Sequence, residues 1–281
     1  MPIKVYKPTT PGRRKSSVDS FSDVTAKNPE KSLVTILRPK SGRNNQGVIT
    51  VRHKRGGAKK LYRMVDFKQG KYDVEAEVLT IEYDPNRGPR ITLIKYADGV
   101  KSYILAPEGL KVGDKVVSSK NLVEAKTGNR MPMLQIPIGL FIYNIEVTPG
   151  KGGQLVRGAG MSAQLVGVEG DYALVKLPSG EIRKVRKEGM ASLGILSNAD
   201  RRLIRWGKAG RMYHRGIKPR VNGKCMNPVD HPHGGGEGHN PIGQKRGPRT
   251  VYGKAAMGVK TRKPSKWSDK FIIKRRTKKT S

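Results

Sequence analysis

Between residues 61 and 200 the hydrophobic positions recur with a period of two, which is the period of a half-buried β-strand. The segment YDVEAEV (72–78) alternates apolar and acidic side chains, and LTIEY (79–83) continues this alternation shifted by one residue, which predicts a β-bulge. The run ITLIKYADGVKSYILA (91–106) has two β-rich halves around Asp98-Gly99, a strong hairpin signal. The pattern therefore predicts antiparallel strands, and no helical period lasts for ten residues.

The strands of this region fall into two sets. The first set covers residues 72–130, includes the turn and strand KVGDKVV (111–117), and is consistent with a small barrel of the oligonucleotide-binding type. The second set covers residues 131–200 and contains PIGLFIYNIEV (137–147), AQLVGVEG (163–170), DYALVKL (171–177), EIRKVR (181–186) and ASLGIL (191–196). The predicted fold class is therefore all-β, with two small antiparallel barrels.

Charge divides the chain more sharply than hydrophobicity does. The chain contains 57 Lys and Arg against 22 Asp and Glu, a net charge of +35, of which residues 1–60 carry +12, residues 61–200 carry +3 and residues 201–281 carry +20. The near-neutral body is long enough to bury roughly two-thirds of its unfolded surface. The basic arms contain few apolar residues and are expected to be disordered or extended without a polyanionic partner. Neither arm has the amphipathic helical stripe of a cationic membrane peptide.

The stretch of residues 225–263 combines eight glycines with many Lys and Arg residues. Glycine permits a close approach of the backbone and positive φ, and successive backbone N–H groups form anion-binding sites. A solvated linker would explain the glycines but not the flanking arginines. We therefore interpret the stretch as backbone in contact with RNA or DNA. The predicted contact residues are His231, His233, Gly234, Gly235 and Gly236.

Two chemical alternatives remain for the histidines of this stretch. His231, His233 and His239, with nearby carboxylates, could bind zinc, although the glycine run removes the stiff frame that orients metal ligands. Asp230 beside His231 could form an orienting acid and a general base, but adjacency in sequence does not supply the hydrogen-bond geometry. We predict no metal site, no cofactor and no enzymatic activity.

The arms offer further candidates for RNA contact. SGRNNQGVITVRHKRGGAKK (41–60) interleaves basic residues with glycine around a strand-like VITV (48–51), which is typical of an extended arm on a nucleic-acid groove. SNADRRLIRWGKAGRMYHRG (197–216) predicts a short basic helix near 208–215, where Tyr213 could stack on unpaired bases. The predicted RNA-binding residues in these arms are Arg43, Asn44, Arg52, Lys54, Arg55, Arg205, Arg211, Lys260 and Arg262.

Other features indicate a cellular compartment. The single Cys225 excludes an internal disulfide and is typical of a reducing environment. No secretory hydrophobic region follows Met1. The most apolar run, LQIPIGLFIYNI (134–145), is interrupted by Gln, Pro and Gly and is too short to span a bilayer. These features predict a cytoplasmic location without membrane contact.

Many blocks of the chain resemble the second large-subunit ribosomal protein family (the L-two family) in its bacterial form. These blocks are KVYKPTTPGRR (4–14), GRNNQGVITVR (42–52), EYDPNR (82–87), ILAPEGL (104–110), NIEVTPGKGGQLVRGAG (144–160), LPSGE (177–181), GKAGR (207–211), MNPVDHPHGGGEG (226–238) and KTRK (260–263). The resemblance implies a ribosome-bound structural component that binds large-subunit rRNA. It also implies contact with small-subunit rRNA and other ribosomal proteins, and indirect support of tRNA placement and of the peptidyl transferase region.

The resemblance also assigns domains and two specific arginines. The implied segments are a basic N-terminal extension (1–60), an oligonucleotide-binding-type barrel (61–130), an SH3-like barrel (131–200) and a basic glycine-rich C-terminal extension (201–281). Arg87 and Arg157 correspond to the rRNA-binding arginines of the family, and both lie in Gly/Pro-rich turns. We therefore expect that replacing either one weakens RNA binding without lowering the melting temperature.

The chain departs from the family pattern at a few positions. Arg130 stands in GNRMPM (128–133) where the family usually has a small residue, and Tyr252 stands where the family has Trp. The spacing within residues 239–252 also differs from the common form. Two other functions remain as alternatives: a peptidyl transferase that uses His231, and a free RNA chaperone built from the same barrels.

Overall fold

A computed structural model describes residues 3–39, 41–238 and 241–276. The strands are β1 (Ile3–Val5), β2 (Ser17–Asp19), β3 (Val34–Leu37), β4 (Lys60–Arg63), β5 (Val74–Glu82), β6 (Ile91–Tyr96), β7 (Lys101–Leu105), β8 (Lys115–Ser118), β9 (Arg130–Pro132), β10 (Phe141–Tyr143), β11 (Ala163–Glu169), β12 (Tyr172–Lys176), β13 (Ile182–Arg186), β14 (Met190–Leu193) and β15 (Ile272–Lys274). The helices are α1 (Pro11–Arg14), α2 (Ala209–His214) and 3₁₀ turns at Lys31–Leu33, Ala199–Leu203, Gly223–Cys225 and Trp267–Phe271. The predicted all-β class and the short basic helix are confirmed. In the described ranges, no helix has the length and apolar character needed to cross a membrane.

The hairpin and the bulge predicted from the sequence are both present. β6 and β7 pair antiparallel from Ile91 opposite Leu105 to Lys95 opposite Lys101. Gly99 has a φ of +85° in the connecting turn, a conformation that favours glycine. The register between β5 and β6 shifts between Val78 and Thr80, next to the point where the apolar alternation changes phase.

The two predicted barrels are not separately closed. Eleven strands form one sheet in the order β15-β13-β12-β11-β10-β14-β9-β8-β5-β6-β7, and within the described residues its two end strands do not pair with each other. The short β9 joins the two sets, because it pairs with β14 on one side and meets β8 on the other, where Arg130 is opposite Ser118. The two sets of strands therefore form one continuous sheet rather than two independent cylinders.

Buried apolar side chains form three clusters beneath these strands. The strands from β9 to β14 enclose Met131, Met133, Ile136, Ile142, Ile145, Ala163, Leu165, Ala173, Val175, Val185, Ala191 and Leu193. The strands from β5 to β8 enclose Ala76, Val78, Ile94, Tyr96, Ile104, Leu110 and Val116. A third cluster contains Val65, Ile91, Leu93, Tyr103, Leu105, Tyr143 and Leu196, and so draws on both sets. Burial of each large aliphatic or aromatic side chain contributes about 1.5–3 kcal/mol.

The chain folds as two compact units. The first unit contains the described residues up to Arg38, Lys59–Lys208 and the described residues from Lys270 onward. The second unit contains the described residues of Pro39–Ala58 and Ala209–Asp269, so it is built from both basic arms. The division into four consecutive segments stays a prediction.

Part of the N-terminal arm is attached to the core of the first unit, whereas the sequence predicted an arm that is disordered or extended and separate from the body. The Arg90 side chain, only 1% exposed, forms ion pairs of 2.8 Å with Asp19 and with Asp23. Burial alone would raise the pKa of Asp23, but the hydrogen bonds and charge of Arg90 outweigh it and hold that pKa below its usual value. The backbone N–H of Glu30 donates to the Tyr103 hydroxyl at 2.8 Å. Two carboxylates and one backbone N–H group of this arm therefore attach it to Arg90, next to β6, and to Tyr103 of β7.

Candidate nucleic-acid interface

Arg87 lies in the turn that follows β5 and is held by a buried carboxylate. Its Nε donates to Asp84 Oδ2 at 2.5 Å, and the side chains of Arg87 and Asp84 are 13% and 0% exposed. Asp84 Oδ1 also accepts the backbone N–H of Asn86, whose side chain donates to the Leu61 carbonyl at 2.7 Å. Removal of Arg87 would leave a buried, unpaired charge. The structure therefore predicts that replacement of Arg87 lowers the melting temperature, in contrast to the expectation from the sequence.

Arg157 lies between β10 and β11 and is exposed. Its guanidinium carbon is 4.5 Å from the centroid of the Phe67 ring. Within the part of the chain that the structure describes, Arg157 makes no side-chain hydrogen bond or ion pair. Its five N–H donors are therefore available to a phosphate or a base edge.

Arg87 and Arg157 meet at the same ring, although they are far apart in the sequence. The guanidinium carbon of Arg87 is 5.4 Å from the Phe67 centroid and 5.7 Å from that of Tyr62, a residue of β4. No motif in the sequence marks Phe67 or Tyr62 as part of a site. The signal that could have indicated them is the pair of aromatic residues in LYRMVDFK (61–68), directly after the basic N-terminal arm.

A fully buried ion pair supports the loop that precedes Arg157. Arg130 Nη2 donates to Glu146 Oε1 at 3.1 Å, and the two side chains are 0% and 1% exposed. Burial lowers the pKa of the Arg130 guanidinium, and the Glu146 carboxylate opposes that shift. Glu146 also accepts the backbone N–H groups of Gly150 and Gly152 at 3.2 and 3.0 Å, and that of Met190 at 3.2 Å. The sequence marked Arg130 only as a departure from the family pattern, and the structure gives it this supporting role.

In the second unit, residues from the two arms bind to each other. Arg55 N–H donates to the Gly216 carbonyl at 2.9 Å, and the Arg55 guanidinium carbon is 3.7 Å from the Tyr213 ring centroid. One face of the predicted stacking ring of Tyr213 is therefore covered by an arginine. In the same way, the guanidinium carbon of Arg52 is 5.6 Å from the centroid of the Tyr252 ring.

The prediction that VITV (48–51) is strand-like is wrong. In this segment Ile49 forms only an isolated bridge with Arg43. Asn44 Oδ1 accepts the backbone N–H groups of Gln46 and Val48 at 3.0 and 2.9 Å. The asparagine side chain thus closes a tight turn, which local composition could not distinguish from an extended arm.

The two histidines of the glycine-rich stretch organise its backbone. His231 Nδ1 accepts the N–H of His233 at 3.0 Å, and His233 Nε2 accepts the N–H of Arg249 at 2.8 Å. The ring centroids of the two histidines are 4.7 Å apart. A Cβ on Gly223 would lie 2.5 Å from the His231 ring, so the ring packs directly on that glycine. Both histidines therefore act here as acceptors inside the loop.

The glycine run itself is required by the fold of this loop. A Cβ on Gly234 would lie 2.3 Å from the Asn227 carbonyl oxygen. Gly235 and Gly236 have φ values of +91° and +83°, which other residues rarely adopt. At Gly235, a Cβ would also lie 2.8 Å from Pro228 Cγ.

The described part of this stretch carries neither of the two chemical alternatives. Among the residues that the structure describes, no group of three His, Cys, Asp or Glu is placed to hold a metal ion, and His239 lies outside them. Within residues 226–238 no hydrogen bond joins the Asp230 carboxylate to the His231 ring, and His231 Nδ1 instead accepts a backbone N–H. The orienting pair of a general base is therefore not formed there.

The remaining predicted residues lie in both units. In the first unit, the backbone of Arg205 exchanges hydrogen bonds with Ser17 at 2.8 and 2.9 Å. In the second unit, Arg211 lies on α2 and Lys260 is exposed. The backbone of Lys54 forms an isolated antiparallel β-bridge with Ile217. Arg262 Nε donates to Asp269 at 2.9 Å, so part of its charge is used within the unit. RNA contact by all of these residues stays a prediction.

The strand-rich fold, the exposed arginines and the basic glycine-rich unit define a β-sheet RNA-binding protein. Residues 30–118 match the family model described as the RNA-binding N-terminal domain of ribosomal proteins L2, and residues 126–253 match the model of the C-terminal domain. The chain belongs to the ribosomal protein L2 family. It is thus a structural, RNA-binding constituent of the large ribosomal subunit, with rRNA and ribosomal proteins as partners, and the resemblance noted in the sequence is confirmed.

Proposed function

We propose that this chain binds large-subunit rRNA through Arg87 and Arg157 of the first unit and through the basic, glycine-rich second unit. The observation that carries the proposal is the exposed guanidinium of Arg157, which lies over Phe67 with its donors unused by the described residues. Phosphate contacts supply affinity and register, whereas a glycine-rich backbone fits the shape of folded RNA. In the cytoplasmic ribosome, this binding supports subunit association through small-subunit rRNA, and tRNA placement near the peptidyl transferase region.

Replacement of Arg157 by Ala is expected to weaken binding to a large-subunit rRNA fragment by about 1–3 kcal/mol, the scale of a charge-assisted contact. The melting temperature should not change, because Arg157 has no ion pair among the described residues. Filter binding and thermal unfolding of the same preparations measure the two effects.

The matched control for this experiment is Arg186→Ala. Arg186 is also an exposed arginine over an aromatic ring, with its guanidinium carbon 5.7 Å from the Tyr172 centroid. Its replacement should leave RNA affinity near the wild-type value. Equal affinities for the wild type and the Arg157→Ala variant would mean that Arg157 is only a solvated residue.

The proposed role of His231 is structural rather than catalytic. Ribosomes that contain His231→Ala, purified as intact particles, are expected to form peptide bonds within about threefold of the wild-type rate, a change below ~1 kcal/mol. The reason is that the ring accepts a backbone N–H and packs on Gly223. Single-turnover peptide bond formation with saturating tRNA substrates measures the chemical step, and particle yield is scored separately.

Asp230→Ala is the companion variant and should behave in the same way. Loss of an essential general base would slow the chemical step by roughly 10²–10⁴-fold. A hundredfold loss in that step for His231→Ala, with normal particle yield, would support the peptidyl transferase alternative instead. Gly235→Val should lower particle yield, both through its strained φ and through its contact with Pro228.

A further inference from the structure

Phe67 is flanked by two cations that come from separate parts of the first unit. Arg157 lies 4.5 Å and Arg87 5.4 Å from its ring centroid, both within the distance of about 6 Å at which a cation is attracted to an aromatic face. The electron density of the ring face attracts both guanidinium groups, and this attraction favours the ordered position of two like charges around one side chain. The ring is half-buried, so it packs against the protein and still remains close to solvent.

The backbone of Phe67 is fixed from both sides. Its carbonyl accepts the N–H of Gly153 at 2.9 Å and the side-chain amide of Asn144 at 3.1 Å. Gly153 has to be glycine, because a Cβ there would lie 2.0 Å from Asn144 Oδ1. On the other side, Asp66 Oδ1 accepts the N–H groups of Lys68 and Gln69, both at 2.8 Å. The ring is therefore attached to a rigid point of the fold.

The same support extends to the buried core. Arg130 Nη1 donates to the Asn144 carbonyl at 2.9 Å, so the buried ion pair with Glu146 also fixes the residue that holds Phe67. Arg87 has a second restraint in Asp84. For the Arg157 head group, the ring of Phe67 is the contact found among the described residues. A long side chain that is already ordered loses less conformational entropy when it binds a ligand.

We propose that Phe67 is a positioning residue that holds Arg87 and Arg157 as one two-arginine clamp for the RNA phosphate backbone. This inference rests on the proposed function of the two arginines. Phe67 acts through the arginines and adds no charge of its own. Its loss should therefore weaken binding without changing the number of phosphates that the protein neutralises.

The test compares Phe67→Leu, which keeps apolar volume but removes the ring, with Phe67→Tyr, which keeps the ring. Binding of the full chain to a large-subunit rRNA fragment is measured over a range of KCl concentrations. Phe67→Leu should bind about fivefold to tenfold more weakly with the same salt slope, and Phe67→Tyr within about twofold of the wild type. Arg157→Ala should instead lower the slope by about one as well.

A double-mutant cycle separates positioning from general destabilisation. If Phe67 acts through the arginines, Phe67→Leu should have much less effect in an Arg157→Ala background than alone, whereas a general loss of structure would add to the Arg157 effect. Phe21→Leu is the matched control, because Phe21 also lies beside a guanidinium, that of Arg90, 5.3 Å from its centroid. RNA affinity of this control should stay near the wild-type value.

The outcomes distinguish the inference from the function on which it rests. Wild-type affinity for Phe67→Leu, or additive losses in the cycle, would overturn the positioning role even if Arg157→Ala binds weakly. Wild-type affinity for Arg157→Ala would overturn the proposed RNA contact itself, and the clamp with it. Three results would together support the clamp. Phe67→Leu would bind weakly with a wild-type salt slope, its effect would not add to that of Arg157→Ala, and Phe67→Tyr would bind almost as well as the wild type.

Discussion

RNA affinity of the full chain is expected to fall about 10⁴–10⁵-fold between 50 and 200 mM monovalent salt. If on the order of ten Lys and Arg residues neutralise phosphates, the logarithm of the association constant falls with the logarithm of salt concentration at a slope of about −7 to −9. The net charge of +35 lies almost entirely in the two arms, which form the whole of the second unit, with a net charge of +15, and also parts of the first unit. A slope of this size therefore requires that basic residues of the arms contact RNA, and the second unit is expected to supply many of them.

The measurement is a set of binding isotherms for a large-subunit rRNA fragment at constant pH over this salt range. The Arg157→Ala variant serves as an internal calibration, because removal of one phosphate contact should reduce the slope by about one. A slope near −2 for the wild type would contradict the account. It would show that most of the positive charge stays solvated, and the second unit would then not be an RNA-binding surface.

The second large effect is expected for Arg130→Ala, which should lower the free energy of unfolding by about 3–5 kcal/mol. The substitution leaves the Glu146 carboxylate buried without its partner, and it also removes the hydrogen bond to the Asn144 carbonyl and a contact with Ser192. Because β9 joins the two sets of strands, the destabilisation should extend across the whole sheet. Chemical denaturation followed by circular dichroism measures it.

The control for this experiment is Lys115→Ala. Lys115 pairs with Glu75 at 2.9 Å, but both side chains are well exposed, and exposed ion pairs contribute little to stability. This variant should unfold close to the wild-type midpoint. An Arg130→Ala variant as stable as the wild type would mean that the buried pair is not what fixes the loop before Arg157.

Local features of the fold were predictable from the sequence because their signals lie within a few residues. The β6–β7 hairpin follows from β-rich runs on either side of Asp98-Gly99, and the bulge at Val78 follows from a change of phase in the apolar alternation. The joining of the two strand sets into one sheet, in place of two closed barrels, was not predictable in this way. It depends on how β9 pairs at both edges, and a three-residue strand leaves no periodic pattern.

Contacts between distant residues account for what the sequence could not predict in the site. The ion pairs of Arg90 join residues 71 and 67 positions apart, and they turn part of an apparently disordered arm into core. Arg87 and Arg157 were both identified from motifs, yet nothing local indicates that their head groups meet at Phe67. Likewise, a run of glycines predicts a flexible segment. In the structure, however, position 234 has to be glycine, because a Cβ there would collide with the Asn227 carbonyl oxygen.

The central claim, that this chain is an RNA-bound structural component of the large ribosomal subunit, is tested most directly by co-sedimentation. Lysate is separated on a sucrose gradient, and the chain is quantified against large-subunit rRNA in every fraction, before and after a moderate salt wash. We expect a constant ratio of chain to large subunit across the large-subunit peak, with little chain in the light fractions. Recovery of most of the chain in the light fractions, or a ratio that varies across the peak, would contradict the account and favour a free RNA chaperone.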